Sequence, residues 1–175
     1  NCAAKVVLFG DTEVKKAQLF HAGAEVGQGA HTVFAQFTAE ALGLAIVKIE
    51  LCLSDTAISG NSGSVSASRM TFMAGNSILG AVKAARDRWE AGDRPAVGDF
   101  TYLAPKTGAL DKTDGHCYPN FAYGYVAEAV QADVNTLTGE VRLRKVISAD
   151  DVGKAINPTL VEGQIEGAVV QAAGY

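Results

Sequence analysis

The sequence predicts an α+β domain, built from hairpins and helices and not from a doubly wound sheet. Segments of strict polar/apolar alternation are interspersed with two long stretches of helical periodicity. Their order lacks the regular strand–helix–strand spacing of a parallel sheet. No GxGxxG follows a strand and no GxxxxGK[ST] occurs, so a dinucleotide or nucleoside-triphosphate fold is unsupported.

Residues 4–9 read as a strand, 10–13 form a turn, and Val14 to Phe20 supply the partner strand. A glycine-rich bend follows, from His21 to Gly29. A helix is expected from about Ala30 to Leu42, with Val33, Phe34, Phe37, Ala41 and Leu42 on one face and Gly43 as its stop. Val47 to Leu53 alternates as a half-buried strand. Ser59 to Ser68 reads as a Ser/Gly loop. A long helix begins near Ala67 and runs to about Glu90, with Met70, Met73, Ser77, Leu79, Gly80 and Ala84 supplying a small-residue face and Arg86, Asp87, Arg88 and Glu90 a wet end. Residues 91–120 carry Gly and Pro at irregular spacing and read as loop. Tyr123–Asn135 and Val141–Ala149 form a hairpin turning at Gly139, and a last helix starts near Thr159. No internal boundary is evident, and residues 1–175 are expected to form one unit.

Composition narrows the function classes. With 175 residues, 48% hydrophobic and 19% charged, the chain can bury a core. The net charge of −4 is scattered without a Lys/Arg run, which disfavours nucleic acid as partner. Apolar stretches are broken well before the length that crosses a bilayer, and no signal peptide is visible. Cys2, Cys52 and Cys117 form no CxxC pair, so neither a disulfide framework nor a cysteine metal site is expected, and reduced thiols fit the cytoplasm. The chain starts without Met and stops within a helical pattern, so a piece of a larger polypeptide is expected.

Three segments place small or polar residues at a helix. They are Gly27-Gln28-Gly29, the run Gly63 to Ser68, and the last helix with Gln171. A helix start leaves N–H groups free and carries partial positive charge, so the first two segments can hold a phosphate. Glutamine both donates and accepts, which suits a heterocycle with mixed edges. The same segments also read as a tight turn, a solvated loop with its helix cap, and a solvent-facing pair, Gln164 and Gln171. The histidines His21, His31 and His116 are scattered, and His31 reads as a cap or surface residue. Glu162 and Glu166 read as an exposed helix face.

The order of the segments adds to this. Gly23-Ala-Glu-Val-Gly-Gln-Gly-Ala-His-Thr-Val-Phe-Ala-Gln36 is followed by Ser54-Asp-Thr and Ser64-Val-Ser-Ala-Ser-Arg-Met-Thr71. Then come Tyr123-Gly-Tyr-Val-Ala-Glu-Ala-Val-Gln-Ala-Asp133, Thr138-Gly-Glu-Val141, Asp151-Val-Gly-Lys-Ala-Ile-Asn-Pro158 and the stretch from Val161 to Gly174. This ordered set, covering nearly the whole chain, resembles the cofactor-binding region of the xanthine dehydrogenase/aldehyde oxidase family of molybdenum hydroxylases. The resemblance implies an enzyme that hydroxylates N-heterocycles or aldehydes with water as oxygen source. It implies molybdenum held by molybdopterin, alone or extended as a cytosine dinucleotide, with iron-sulfur centres and in some members FAD carried by other domains or subunits.

Carried over by residue, the resemblance implies that Gly27, Gln28 and Gly29 approach the pterin. Ser64, Val65, Ser66, Ala67, Ser68, Arg69 and Thr71 would hold the pterin and its phosphate end, with Ala67 beside the metal. Gln171 would hydrogen-bond the cofactor from the last helix. No residue of this chain is a direct metal ligand, and no catalytic acid or base falls in it. The family's glutamate, in a Gly-Glu-Pro motif, is expected downstream of the last helix. The alternative expectation is an inert, cofactor-free fragment or a small scaffolding subunit of such a complex.

Overall fold

A computed structural model describes all residues, 1–175. Ten elements follow in order: β1 (Cys2–Gly10), β2 (Val14–His21), α1 (Ala30–Leu42), a 3-10 turn (Ile46–Lys48), β3 (Ile49–Leu53), α2 (Arg69–Glu90), β4 (Ala96–Tyr102), β5 (Tyr125–Val134), β6 (Val141–Asp151) and α3 (Pro158–Ala173). The fold class is α+β, with three helices and two sheets. The chain separates into two compact units, Asn1–Ala104 and Pro105–Tyr175, where one had been expected.

In the first unit the sheet order is β3-β2-β1-β4. β1 pairs antiparallel with β2 and with β4, while β2 and β3 run parallel. Period-2 alternation sends Cys2, Ala4, Val6 and Leu8 of β1, and Ala17, Leu19 and His21 of β2, onto one face. Helices α1 and α2 cover that face. Phe34 from α1 and Met73, Ile78, Ala81 and Ala85 from α2 complete a single buried cluster. The opposite face stays wet: Lys5 sits over the Phe20 ring at 4.2 Å, and Gln18 donates to Glu50.

Three expectations are corrected here. Residues 91–120 are not all loop, because Ala96–Tyr102 pairs with β1 as an edge strand. Its Gly98 masked the alternation and is required by packing. A Cβ there would stand 2.2 Å from both the Ala81 carbonyl oxygen and the Ala85 nitrogen of α2. The strand expected from Val47 begins at Ile49 instead, because residues 46–48 close a 3-10 turn that leaves Val47 85% exposed. On α2, Leu79 points outward at 48% exposure, and the core face runs through Met70, Met73, Ala74, Ser77, Ile78, Ala81, Val82 and Ala85. That set follows the 3.6-residue period, which Leu79 breaks. Gly43 ends α1 as expected, in the left-handed region with φ 68°, while its own N–H and that of Leu44 return to the Glu40 and Ala39 carbonyls.

In the second unit β5 and β6 form an antiparallel hairpin, its turn closed by Asn135 Oδ1 accepting from the Leu137 and Thr138 N–H groups. Asn157 caps α3 by accepting from the Leu160 N–H at 3.2 Å, with Pro158 in the first turn. No residue of 105–175 is buried, and Tyr125, Val126, Val130, Val141 and Ile147 stand in solvent. This unit has no core of its own.

Candidate functional site

One end of the four-stranded sheet collects most of the segments singled out above. β2 ends at His21 and leads into the Gly23–Gly29 bend that opens α1. β3, parallel to it, ends beside the same place, where the Ser54 N–H donates to the His21 carbonyl at 3.1 Å. β1 starts there too. Its Cys2 Sγ lies 3.4 Å from His21 Nε2, and the carbonyl of Asn1 accepts from Arg69 Nη2 at 3.0 Å at the start of α2. The 23–29, 54–56 and 64–71 segments thus meet at one sheet end, although the first lies 25 positions from the second along the chain. Loops at strand ends are where a rigid scaffold presents ligand-binding groups.

The bend before α1 is internally satisfied. Glu25 Oε1 accepts from the Gly27 and Gly29 N–H groups at 2.9 and 2.8 Å, and its Oε2 from the His31 N–H at 3.1 Å. The N–H groups expected to receive a phosphate at this helix start are therefore held by a carboxylate of the chain itself. Burial opposes ionisation of Glu25. The backbone N–H groups of His31, Gly29 and Gly27, with the charge of His31, outweigh it and hold the carboxyl below its usual range. Gln28 folds back as well: its Oε1 accepts from the Val26 N–H at 2.7 Å and its Nε2 donates to the Ala24 carbonyl at 2.9 Å. One N–H and one lone pair of the amide remain for a ligand. Gly27 and Gly29 have φ of 101° and 79°, and a Cβ on Gly27 would meet nothing within 4 Å, so the backbone there is open to approach.

Two imidazoles grip the entry to this bend. His21 Nδ1 accepts from the Gly23 N–H at 2.9 Å, and His31 Nε2 donates to the Gly23 carbonyl at 2.9 Å. His21 is fully buried, its ring centroid 4.5 Å from that of Phe34. Because Nδ1 accepts, Nε2 carries the proton and points at Cys2 Sγ. Burial, with His31 nearby, pushes the His21 pKa down to about 4. Sequence reading left His21 unassigned. The period-2 run Ala17, Leu19, His21 is the signal that places it in the core.

The start of α2 is built differently. No side chain caps it, and Ala67 and Ser68 both lie in the left-handed region, with φ of 49° and 59°. Two consecutive non-glycine residues there are strained, a condition that concentrates at ligand sites. Ser64, Ser66, Ala67, Ser68 and Thr71 are exposed, while Val65 packs against the core. Arg69 turns inward: Nη1 donates to the Ser62 and Ser64 carbonyls, both at 2.9 Å. It braces the loop in place of pointing into solvent. Gln171 lies on α3 in the second unit and is exposed. His116, also in the second unit, is exposed, its Nδ1 3.3 Å from an Asp114 carboxylate oxygen. No helix is long and apolar enough to cross a membrane.

A family model described as the molybdopterin cofactor-binding domain matches residues 4–96 and 91–175. Xanthine dehydrogenase of Oryza sativa subsp. japonica is 28% identical over 174 residues, covering 89% of this chain and 13% of that protein. Among solved structures, the aldehyde oxidoreductase of Desulfovibrio desulfuricans has a TM-score of 0.85 at 26% identity, covering 99% of this chain and 20% of that one. That of Desulfovibrio gigas has a TM-score of 0.83 at 25% identity, covering 99% and 21%. The chain spans about 13% of the length of the curated relatives it matches. Its segments, in order and in space, place this chain in the molybdopterin cofactor-binding domain family.

Proposed function

We propose that this chain forms part of the cofactor site of a molybdenum hydroxylase, an oxidoreductase that hydroxylates a xanthine-like N-heterocycle or an aldehyde with water as oxygen source. The observation that carries the reading is the meeting of the 23–29, 54–56 and 64–71 segments at one sheet end. The donor set there suits a molybdopterin. Exposed hydroxyls of Ser64, Ser66, Ser68 and Thr71, with the uncapped first turn of α2, suit its phosphate end. Gln28 offers one donor and one acceptor to a pterin edge, and Gly27 and Gly29 let the ring approach the backbone.

In this reading Ala67, small and held in the left-handed region, leaves room beside the metal. Val65 and Arg69 hold the loop rigid, and Gln171 contributes a further hydrogen bond from α3. When bound, the molybdenum cofactor supplies the two-electron redox chemistry. The residues of this chain bind and orient it, and none acts as acid or base. Dinucleotide extension of the pterin, iron-sulfur and flavin partners in other parts of the enzyme, and a cytoplasmic location belong to the same proposal. The exposed apolar surface of residues 105–175 supports a larger assembly, because a unit without a buried core needs cover from elsewhere.

The test is to purify the complete gene product from a host that makes molybdopterin. Molybdenum would be measured by elemental analysis and pterin by fluorescence after oxidation. Turnover of xanthine and of aldehydes would follow in water labelled with heavy oxygen. Stoichiometric metal and pterin, with label in the product, are expected. A folded protein that carries neither would overturn the proposal in favour of a scaffolding role.

A further inference from the structure

We propose that Glu25 is a positioning residue for the cofactor, acting through Gln28 without touching the ligand. The inference rests on the function proposed above. Its basis is the hydrogen-bond pattern of the bend. One carboxylate takes the N–H groups of Gly27, Gly29 and His31, so it occupies the helix start that an anionic ligand would otherwise fill. The residues bonded on either side of Gln28 are thereby fixed. With Gly27 and Gly29 both at positive φ, the backbone by itself does not select a single shape for this stretch of the bend.

The Gln28 amide is oriented by the same shape. Its contacts to the Val26 N–H and the Ala24 carbonyl exist only while the chain from Ala24 to Gln28 stays curled around the carboxylate. Glu25 therefore decides which amide atoms Gln28 leaves for a ligand. It also divides the work between the two helix starts. That of α1 is already neutralised by Glu25 and presents a neutral amide, whereas at α2, where the Arg69 N–H is taken by the Ser66 carbonyl, no carboxylate closes the first turn and it is left for the charged end of the ligand.

The test compares Glu25→Ala, Glu25→Gln, Gln28→Ala and the Glu25→Ala/Gln28→Ala double variant in the complete protein. Molybdenum per protomer is read at limiting cofactor, and amide hydrogen exchange over residues 22–32 is read in the cofactor-free form. Glu25→Ala is expected to lower molybdenum content by up to about tenfold and no further than Gln28→Ala does, the scale of the one ligand hydrogen bond that Gln28 would lose. Exchange at Gly27, Gly29 and His31 should rise while β1 and α2 are unchanged. Glu25→Gln should fall between, because one carboxamide oxygen still accepts from Gly27 and Gly29. The double variant should load no worse than Gln28→Ala alone, since both act through one amide.

Full molybdenum content in Glu25→Ala overturns the proposal whatever the exchange shows. Additive losses in the double variant overturn it too, by making Glu25 an independent contributor. If Glu25→Ala does not fold, Glu25→Gln against wild type decides by the same two readouts. Wild-type protein without molybdenum overturns the functional reading on which the proposal rests. Unchanged exchange in Glu25→Ala overturns the local role by itself.

Discussion

Acid should unfold this protein earlier than its carboxylates alone require, and His21 is the reason. The imidazole is fully buried against Phe34 and accepts the Gly23 N–H through Nδ1. A proton added there would set N–H against N–H. The folded-state pKa is about 4 against an ordinary 6.5. Between these values the unfolded chain binds a proton that the folded chain refuses, so stability rises with pH through that window. The contribution is complete above about pH 6.5 and is lost as pH falls towards about 4, about 3 kcal/mol in all. Glu25 acts in the same direction at lower pH: its depressed pKa stabilises the fold above the usual carboxylate range, and that contribution is lost as pH falls below it.

The two effects therefore succeed one another as the solution is acidified. Urea unfolding at about pH 7 and about pH 4.5, followed by Trp89, the single tryptophan, separates them. With a slope of about 1–3 kcal/mol per molar urea, the midpoint should fall by about 1–3 M. His21→Asn keeps an acceptor for Gly23 but cannot titrate. It should be less stable than wild type at neutral pH, with the gap closing as pH drops. A pH dependence identical in wild type and His21→Asn would refute the argument, as would a His21 titration midpoint near 6.5.

Three further outcomes are expected. Gly98→Ala should cost about 3 kcal/mol, at or above the usual overpacking range, because the new Cβ meets α2 backbone atoms at 2.2 Å that no rotamer can move; a urea midpoint within error of wild type would contradict the β4–α2 contact. Gln28→Ala in the complete protein should lower molybdenum content, and it should also loosen the bend by about 1 kcal/mol, since the side chain bridges Val26 and Ala24; unchanged metal content with a large loss of stability would leave it a structural residue only. Ala67→Phe should reduce cofactor loading and turnover more than Ser68→Ala, because bulk at an exposed left-handed position fills ligand space while one hydroxyl is a single donor among several; the reverse ranking, measured on the same two readouts, would misplace this loop.

Local patterns carried a large part of this protein. The strand–turn–strand run over 4–20, the helical period from Ala30 with its Gly43 stop, and the hairpin turning at Gly139 were legible because each depends on neighbours within a few residues. The ordered set of short segments carried the family as well. What sequence left open was settled by partners distant along the chain. Ala96–Tyr102 is a strand because β1 offers it an edge, and Gly98 hides that pattern in order to pass α2. His21 is buried because β2 turns it towards Phe34, which no local rule for histidine requires. The two helix starts looked alike in sequence, yet Glu25 fills one while the other stays uncapped. An N–H group is satisfied by whatever acceptor the folded chain brings within about 3 Å. Glu25 needs the turn of the bend to reach three of them at once, and Arg69 needs the start of β1 to find the Asn1 carbonyl. Periodicity names the elements, but only their packing decides which polar groups are used up and which remain for a ligand.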